Sequence, residues 1–485
     1  MDILALIEQV VNGLIKIEED YLSNPKDLRS LEVATKTTTD DLAASFLSGV
    51  LTDLNNQIYN NSYRKSHYNV QRTRERGLIS SVGDLSFDNT VYRKKGARHG
   101  GYTSLLAQVI GLDKNERFTE EAEVRMLTEA LKTSYAEAAR SIPSKQKITK
   151  TTVMNKVHNI SDAMPPEEPE EQRHNKYLFI EADEDHISEQ HGDQSKPEDN
   201  KGFISKLVYI YEDKQDSKGY KDRKELVNRH YFSGVYPGRE GTEKLWNEVE
   251  AYIEKTYDTD SIKRIFISGD GASWIKSGTN YVDRAIFCAD KYHLMQYINA
   301  AAGQMLDDKE EVKAELWHIL NSKNKAKERF DRYTAEMLLS AEKPERIENL
   351  RNYVLGNWGA VRRTLRNRLV YGCSAESHVS HVLSDRLSSR PMGWSQTGAD
   401  RMSKLRCYER NHGREKIIDL VRYSREQQKA ERTGTDNKII KKLTVRDVIS
   451  DHYDQARSYI DRYRASIPGI TVKKITSIRT HLRDL

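Results

Sequence analysis

Through residues 1–70 apolar side chains return every three or four positions, as in ASFLSGVLTDLNNQIYNNSYRKSHY, which predicts a helical N-terminal region with a polar outer face. The opening MDILALIEQVVNGLIKIEEDYL mixes Asp2, Glu8, Glu18, Glu19 and Asp20 among its apolar residues, with no basic start and no small-residue cleavage site. It reads as an amphipathic helix and not as a secretion signal. The period then falls to two. GLISSVGDLSFDNTVYRKK alternates around Gly83-Asp84, with Ile79 and Val82 on one arm of a hairpin and Leu85, Phe87 and Val91 on the other. This region, 71–117, is basic on both flanks: Arg72, Arg74 and Arg76 precede the hairpin, and Arg93, Lys94, Lys95 and Arg98 follow it.

From 118 to 161 the helical period resumes. SYAEAARSIPSKQKITKTTVMNKVHNI has the outline of a helix-turn-helix: a small-residue helix, a turn at Pro143 and a second helix capped by Thr149 or Thr151. The second helix offers Lys150, Thr151, Thr152, Asn155 and Lys156, side chains that bond base edges and phosphates in a major groove. A plain helical hairpin with a solvated face accounts for the same pattern. Residues 162–176, DAMPPEEPEEQRHNK, are acidic, proline-rich and almost without apolar content, which marks a linker.

Beyond the linker the pattern changes in kind. KYLFIEADEDHI, FISKLVYIYED and NRHYFSGVYPG are β-rich runs parted by polar turns; LWNEVEAYIEKTYDTD is an amphipathic helix; IKRIFISGDGASWI and AIFCAD are further strands, the latter leading into KYHLMQYINAA. Strands followed by alternating helix and strand predict an α/β core over 177–293. Residues 294–370 return to charged helical sequence, read as an insertion into that core, and 371–400 supply a closing helix. A basic region, 401–485, ends the chain.

At 485 residues the chain is too long for one core. No apolar run approaches the roughly 18–20 residues that span a bilayer, so a membrane role is not expected. The three cysteines, Cys288, Cys373 and Cys407, are too few and too scattered for a disulfide scaffold or a four-cysteine zinc module, and point to a reducing, cytoplasmic setting. A net charge of +5 is compatible with nucleic acid without arguing for it.

Candidate chemistry lies at the strand ends. Asp183 closes YLFIEAD and Asp270 closes IFISGD, each a carboxylate where an apolar strand emerges, with Gly269 and Gly271 leaving room for substrate beside the second. Carboxylates so placed can hold the two divalent metals that phosphodiester cleavage uses; ordinary turn-capping aspartates look the same in sequence. Glu181, Asp183 and Asp185 share one strand face, so Asp185 is a reserve for the first position. Arg386, Arg390 and Trp394 offer guanidinium forks and an aromatic surface for phosphates and a displaced base. His186, His378 and His381 could stand near metals, and more often such histidines are structural.

Three motifs in order, EADEDHI, ISGDGASWI with CADKYHL after it, and GCSAESHVSHVLSDRLSSRPMGWS, resemble the ISLre-type insertion-sequence transposases of Gram-positive bacteria, relatives of the Mutator-like DDE group. The resemblance implies an RNase H-like catalytic core with a helical insertion, behind a mainly α DNA-binding region that carries the β-hairpin and the helix-turn-helix. It places the family's carboxylates on Asp183, Asp270 and Glu376, 87 and then 106 residues apart, with Ser377 where relatives carry glycine. It implies two Mg²⁺ or Mn²⁺ ions and double-stranded DNA, both terminal inverted repeats and target, as partner. It also implies a homodimer or higher oligomer on DNA, associated with the nucleoid. Cys288 and His293 resemble the cysteine or aspartate plus histidine motif of Mutator-like enzymes; two ligands alone do not make a zinc site. A transposase-derived DNA-binding protein without catalysis is the alternative. A glycosidase using Asp183 and Glu376 would leave the basic flanks unexplained.

Overall fold

The computed structural model describes residues 3–430, apart from 98–100, 114, 161–163, 167–168, 170, 191–201, 218–223, 306–307, 371 and 391 and the side chains of 4 and 428–430. Arg98 and the basic region after 430 lie outside the described residues. The chain folds as two compact units, one built from residues up to Met126 with Ala139–Thr149, the other from Leu127–Ala138 with Lys150–Gln427.

The first unit opens with α1 (Ile3–Ser23), α2 (Leu28–Asn60) and α3 (Ser62–His67). Asp27 caps α2 by accepting from Ser30 N, and Asn61 caps α3. The hairpin follows as β1 (Tyr68–Ser80) and β2 (Gly83–Lys94), with β3 (Tyr102–Ser104) beside β2 and α4 (Leu105–Val109) after it. Its turn falls earlier than Gly83-Asp84. Ser80 pairs with Gly83, and the Ser80 hydroxyl closes the loop by donating to Gly83 O while accepting from Val82 N. The Asp84 carboxylate, outside the turn, accepts instead from Ser144 Oγ at 2.5 Å and from Lys145 N at 2.9 Å, tying down the segment that follows Pro143. A bulge between Val70 and Arg72 shifts the register, so Tyr92 and not Val91 enters the core with Ile58, Leu78, Leu85, Phe87 and Leu105. Arg72 and Arg74 project from β1 itself, exposed.

Helices α5 (Glu120–Ala130), α6 (Tyr135–Arg140) and α7 (Lys150–His158) occupy the predicted helix-turn-helix region, but 118–161 is not one compact body: its parts are shared between the two units. In the second unit α7 buries Val153 and Val157 and packs on α17 (Gln396–His412), while Lys150, Thr151 and Asn155 stay exposed. The acidic linker ends sooner than 176. Arg173 N donates to Thr256 O and Asp258 N to Arg173 O, pinning the chain before the first strand begins.

The second unit is organised by a five-stranded sheet in the order β10-β9-β4-β5-β8, made of β4 (Tyr177–Ser188), β5 (Gly202–Tyr211), β8 (His230–Gly234), β9 (Arg264–Gly269) and β10 (Ala285–Ala289). The first strand is central: β5 and β8 continue antiparallel on one side, β9 and β10 parallel on the other. A small ribbon of β6 (Asp213–Asp216) and β7 (Lys224–Val227) interrupts the path between β5 and β8. Alternation along the strands splits the faces. Leu178, Ile180 and Ala182 of β4, Val208 and Ile210 of β5, and Ile265 and Ile267 of β9 enter one core with Leu245, Trp246, Val249 and Ile253 of α8 (Gly238–Thr256).

After β9 come α9 (Ser273–Lys276) and, past β10, α10 (Lys291–Ala302). Then four helices run without a strand: α11 (Lys309–Asn321), α12 (Ala326–Ser340), α13 (Pro344–Gly356) and α14 (Trp358–Arg366). The predicted insertion is therefore helical, yet it is not a lobe apart. Leu316, Leu320, Phe330, Leu350 and Val361 belong to the same core as the sheet, and α14 is fastened to β10 by Thr364 Oγ1 donating to Ala289 O. Leu339, on α12, faces solvent. The chain returns through α15 (Ala375–Val379), a π-turn at Ser380–Ser384 and α16 (Asp385–Leu387) to α17 and α18 (Ile417–Ala430). Among the described residues no helix is long and apolar enough to cross a membrane.

Candidate active site

The parallel register explains why Asp183 and Asp270 meet. Tyr177 pairs with Arg264 and Glu181 with Ser268, so β9 runs beside β4 at an offset of 87 residues. Carried two residues on, the same offset sets Asp270 beside Asp183. The third strand continues the row: Ala285 pairs with Ile265 and Ala289 with Gly269, and Asp290 N donates to Gly269 O at 2.9 Å, so Asp290 emerges next to Asp270. Asp183 does not close its strand as the sequence suggested, since β4 runs on to Ser188 paired with β5; Asp270 and Asp290 directly follow the last residues of β9 and β10.

The electrostatics follow from that crowding. Asp183 is only partly enclosed and has one short-range partner, Glu184 N, donating at 2.9 Å. Burial pushes its carboxyl up to about 6; the Glu184 N–H opposes the rise, and the negative charge of Asp270 adds to it. Asp290 is buried, caps α10 by accepting from Tyr292 N, and holds His293 Nδ1 at 2.6 Å. The bond to Asp290 raises the imidazole above its ordinary value, burial opposes this, and the charges of Asp290, Asp183 and Asp270 reinforce it. The charged form of His293 is thus favoured by the aspartates around it. Its partner is Asp290, three residues away at the start of α10. Cys288 is buried beside Arg363 on β10, its thiol pushed up to about 11 by burial, and takes no part in that pair.

Tyr353 and Asn357 on and after α13 complete the surroundings. The Tyr353 hydroxyl is buried without an acceptor, its pKa raised by burial and by the nearby charges of Asp290 and Asp270. A Cβ on Gly271, whose φ is +98°, would stand 3.1 Å from Asn357 Nδ2, and one on Gly269 would stand 2.8 Å from Ala182 O. The two glycines therefore allow close packing of backbone and neighbours.

The other singled-out carboxylates separate by role. Asp185 is buried and accepts from Ser384 Oγ at 3.0 Å and Ser388 Oγ at 2.7 Å, fastening the π-turn to β4. Glu181 is fully enclosed and accepts from Tyr209 and Tyr211 hydroxyls, from Lys214 Nζ at 2.9 Å, and from Ser374 N at 2.6 Å. Ser374 immediately precedes α15, so Glu181 anchors the helix that carries Glu376. That helix packs on β4, with the Glu376 side chain exposed in its first turn. Asp183 and Asp270 are near enough for the charge of one to act on the other, while among the described residues no three Asp, Glu, His or Cys side chains form a group ready to hold a metal.

Of the histidines, His378 lies against Tyr209, bonds the Tyr231 hydroxyl at 2.8 Å and is pushed down to about 4 by burial, a neutral structural group. His186 and His381 are exposed. Among the DNA-binding candidates, Lys150, Thr151, Arg386 and Trp394 line one cavity, Arg390 is exposed, Asn155 is exposed on α7, and Thr152 and Lys156 are half-buried there. Trp394 does not offer a free aromatic face. It is 6% exposed, with the Arg386 guanidinium 4.7 Å over its ring and the edge of Tyr135 against it. Sequence reasoning missed Asp290, Tyr353 and Asn357. For Asp290 the signal was present, an acid ending CAD at the start of a helix, but the neighbouring cysteine was the more conspicuous residue.

The model of UPF0236, an uncharacterised protein family, matches residues 22–424. A UPF0236 protein of Caldanaerobacter subterraneus subsp. tengcongensis, named for eleven loci, is 31% identical over 404 residues, covering 82% of this chain and 81% of its own length. A second from the same organism, named for four loci, is 30% identical over 403 residues, covering 82% and 81%. A third, from Streptococcus gallolyticus and described as lying in the vanSb 3′ region, is 24% identical over 407 residues, covering 80% and 84%. Among solved structures, the Drosophila P element transposase strand transfer complex is 9% identical and covers 64% of this chain and 82% of that one, at a TM-score of 0.21 too low to argue from.

Proposed function

The chain belongs to the uncharacterised family UPF0236, and within it we propose that this protein is a DDE-type transposase, cutting DNA at the ends of a mobile element and joining the freed 3′-hydroxyl to target DNA. The observation that carries the reading is the meeting of Asp183, within β4, and Asp270, just past the end of the adjacent parallel strand β9, where burial and the charge of Asp270 leave the Asp183 carboxyl raised to about 6. Such a pair is costly without a cation, and hard oxygen donors suit Mg²⁺ or Mn²⁺. Asp183 and Asp270, joined by Glu376, are the residues that would hold two such ions, which supply activation of the attacking oxygen and stabilisation of the leaving one. Asp290 orients His293 and favours its charged form beside them.

Two further observations support the reading. A central first strand with two antiparallel neighbours on one side and two parallel ones on the other agrees with an RNase H-like core. Relatives named for eleven and four loci of one genome are what a self-copying element leaves behind. Double-stranded DNA is the partner, bound by a homodimer or higher oligomer, with Lys150, Thr151, Thr152, Asn155, Lys156, Arg386 and Arg390 on the binding side. One observation favours the alternative, a DNA-binding protein derived from a transposase without catalysis: among the described residues no three Asp, Glu, His or Cys side chains form a group ready to hold a metal.

The test compares Asp183→Asn, Asp270→Asn and Glu376→Gln for cleavage of DNA carrying the ends of the element, in Mg²⁺ and in Mn²⁺. Each variant is expected to keep its fold and lose at least about a thousandfold in rate. Wild-type cleavage that survives chelation ends the metal-dependent reading; a wild-type chain that binds the ends and never cuts them establishes the alternative.

A further inference from the structure

Away from the carboxylates, a cavity of about 280 Å³ opens between the first turns of α7 and α17 and the segment after α16. Its lining includes Lys150 and Thr151 from α7, Ser395 and Gly398 from α17, and Arg386, Trp394, Tyr135 and His158; none of the lining residues is acidic. Helices of 9 and 17 residues thus present their N-terminal ends to one space, where the partial positive charge of each is greatest.

The walls carry donors without acceptors. Arg386 is 3% exposed and lies between the rings of Tyr135 and Trp394. Its Nε donates to Ala130 O at 2.9 Å and its Nη1 to Met392 Sδ at 3.4 Å. Burial pushes this guanidinium down to about 10, Tyr135 draws it back, and the neighbouring Arg390 and Arg406 push further in the same direction as burial. Trp394 Nε1 and the Tyr135 hydroxyl are buried with no partner among the described residues. Unsatisfied buried donors around a buried cation are costly unless an acceptor enters, and an anion with several oxygens answers all of them together.

We propose that this cavity is a seat for a single phosphate group, taken from a DNA backbone and held by Arg386, Trp394, Tyr135 and the N-terminal ends of α7 and α17. The DNA source rests on the transposase reading; the seat itself does not. Its position assigns different duties to the DNA-binding side: Lys150 and Thr151 fix the register of one phosphate, while Asn155 further along α7 remains available to base edges.

The full chain is titrated with inorganic phosphate against chloride at matched ionic strength, following thermal stability and ³¹P line width. Phosphate is expected to raise the melting temperature and broaden its resonance where chloride does neither. Trp394→Phe, which keeps a ring under Arg386 and removes the N–H, and Lys150→Ala, on the exposed first turn, should each weaken phosphate about tenfold. Asp183→Asn should not change it. A short duplex distinguishes the sources: about tenfold weaker duplex binding in the same two variants assigns the seat to backbone phosphate. Unchanged duplex binding with lost phosphate binding assigns it to free phosphate. If phosphate acts no differently from chloride, or both variants bind it like the wild type, the seat does not exist. Absence of DNA cleavage alongside intact phosphate binding removes the transposase reading and leaves the seat standing.

Discussion

On one face of β4, Glu181 is sealed from solvent and accepts from two tyrosine hydroxyls, the Lys214 ammonium and the Ser374 backbone and hydroxyl. Two residues further along the same face, Asp183 accepts from one backbone N–H among the described residues, with the like charge of Asp270 raising its carboxyl and His293 drawing it back. Burial acts on both carboxyls in the same direction, upward. At Glu181 the surrounding donors outweigh it and hold the group below the usual carboxylate range; at Asp183 they do not, and the group rises to about 6. The strand thus carries a carboxylate that the protein satisfies itself and one that it leaves for something else to satisfy. That difference separates an anchor from a site more sharply than residue type does.

The largest expected effect comes from breaking the anchor. Glu181→Gln keeps the shape but leaves Lys214 without its ion-pair partner in a place 1% exposed on the Glu181 side, which should cost about 3 kcal/mol of unfolding free energy, measured by urea titration. Because Glu181 also holds Ser374 ahead of α15, cleavage per folded molecule should fall as well. The wild-type anchor adds stability above the ordinary carboxylate range, lost as acidity rises through its lowered folded value. A Glu181→Gln protein as stable as the wild type would mean that Lys214 finds another acceptor and that the contrast with Asp183 is not energetic.

Next in size is the oriented cation. His293→Gln keeps a side chain that can bond Asp290 and removes the positive charge beside Asp183 and Asp270. Cleavage should fall about 10- to 100-fold, the range found when groups around metal ligands are replaced. In the wild type the raised pKa means that the charged imidazole's contribution is complete below about 6.5 and declines as pH rises through the folded value. The rate profile of His293→Gln should lack that decline. An unchanged rate and profile would confine His293 to capping α10.

How much of this could be read from the chain depends on the range of each interaction. The strand carrying Asp183, the strand carrying Asp270 and the helices after β10 were legible because alternation and three-to-four spacing report burial locally. The 87-residue separation was visible as a number, but only the parallel register turns it into adjacency. The hairpin turn was misplaced because Ser80 offers a hydroxyl that closes a tighter loop than Gly83-Asp84 suggested. How the helical insertion packs was not legible because a charged helix shows its solvated face in sequence; that Leu316, Phe330 and Leu350 join the sheet's core is a tertiary fact. Asp185 and Glu181 resembled metal ligands as closely as Asp183 did, and only partners from distant parts of the chain, Ser384, Ser388 and Ser374, identify them as anchors.

The smallest expected effect tests the comparison at its other end. A carboxyl of ordinary pKa 3.8 that rises to about 6 on folding binds more protons in the folded than in the unfolded state between those values, so folding stability must decline as pH climbs from about 4 to about 6. Above that window the folded protein carries an unfavourable charge at Asp183. Asp183→Asn removes it and should therefore stabilise the chain at pH 7.5, in chelator, by about 1 kcal/mol, allowing for the side chain's partial exposure to solvent. At about pH 4, where the aspartate is largely protonated in the folded state, the two proteins should unfold alike. Mg²⁺ should then raise the melting temperature of the wild type and not of the variant, since the cation relieves a repulsion that the variant no longer has. A variant less stable than the wild type at pH 7.5 would show that Asp183 is satisfied within the fold, as Glu181 is, and would remove the reason to place a cation there.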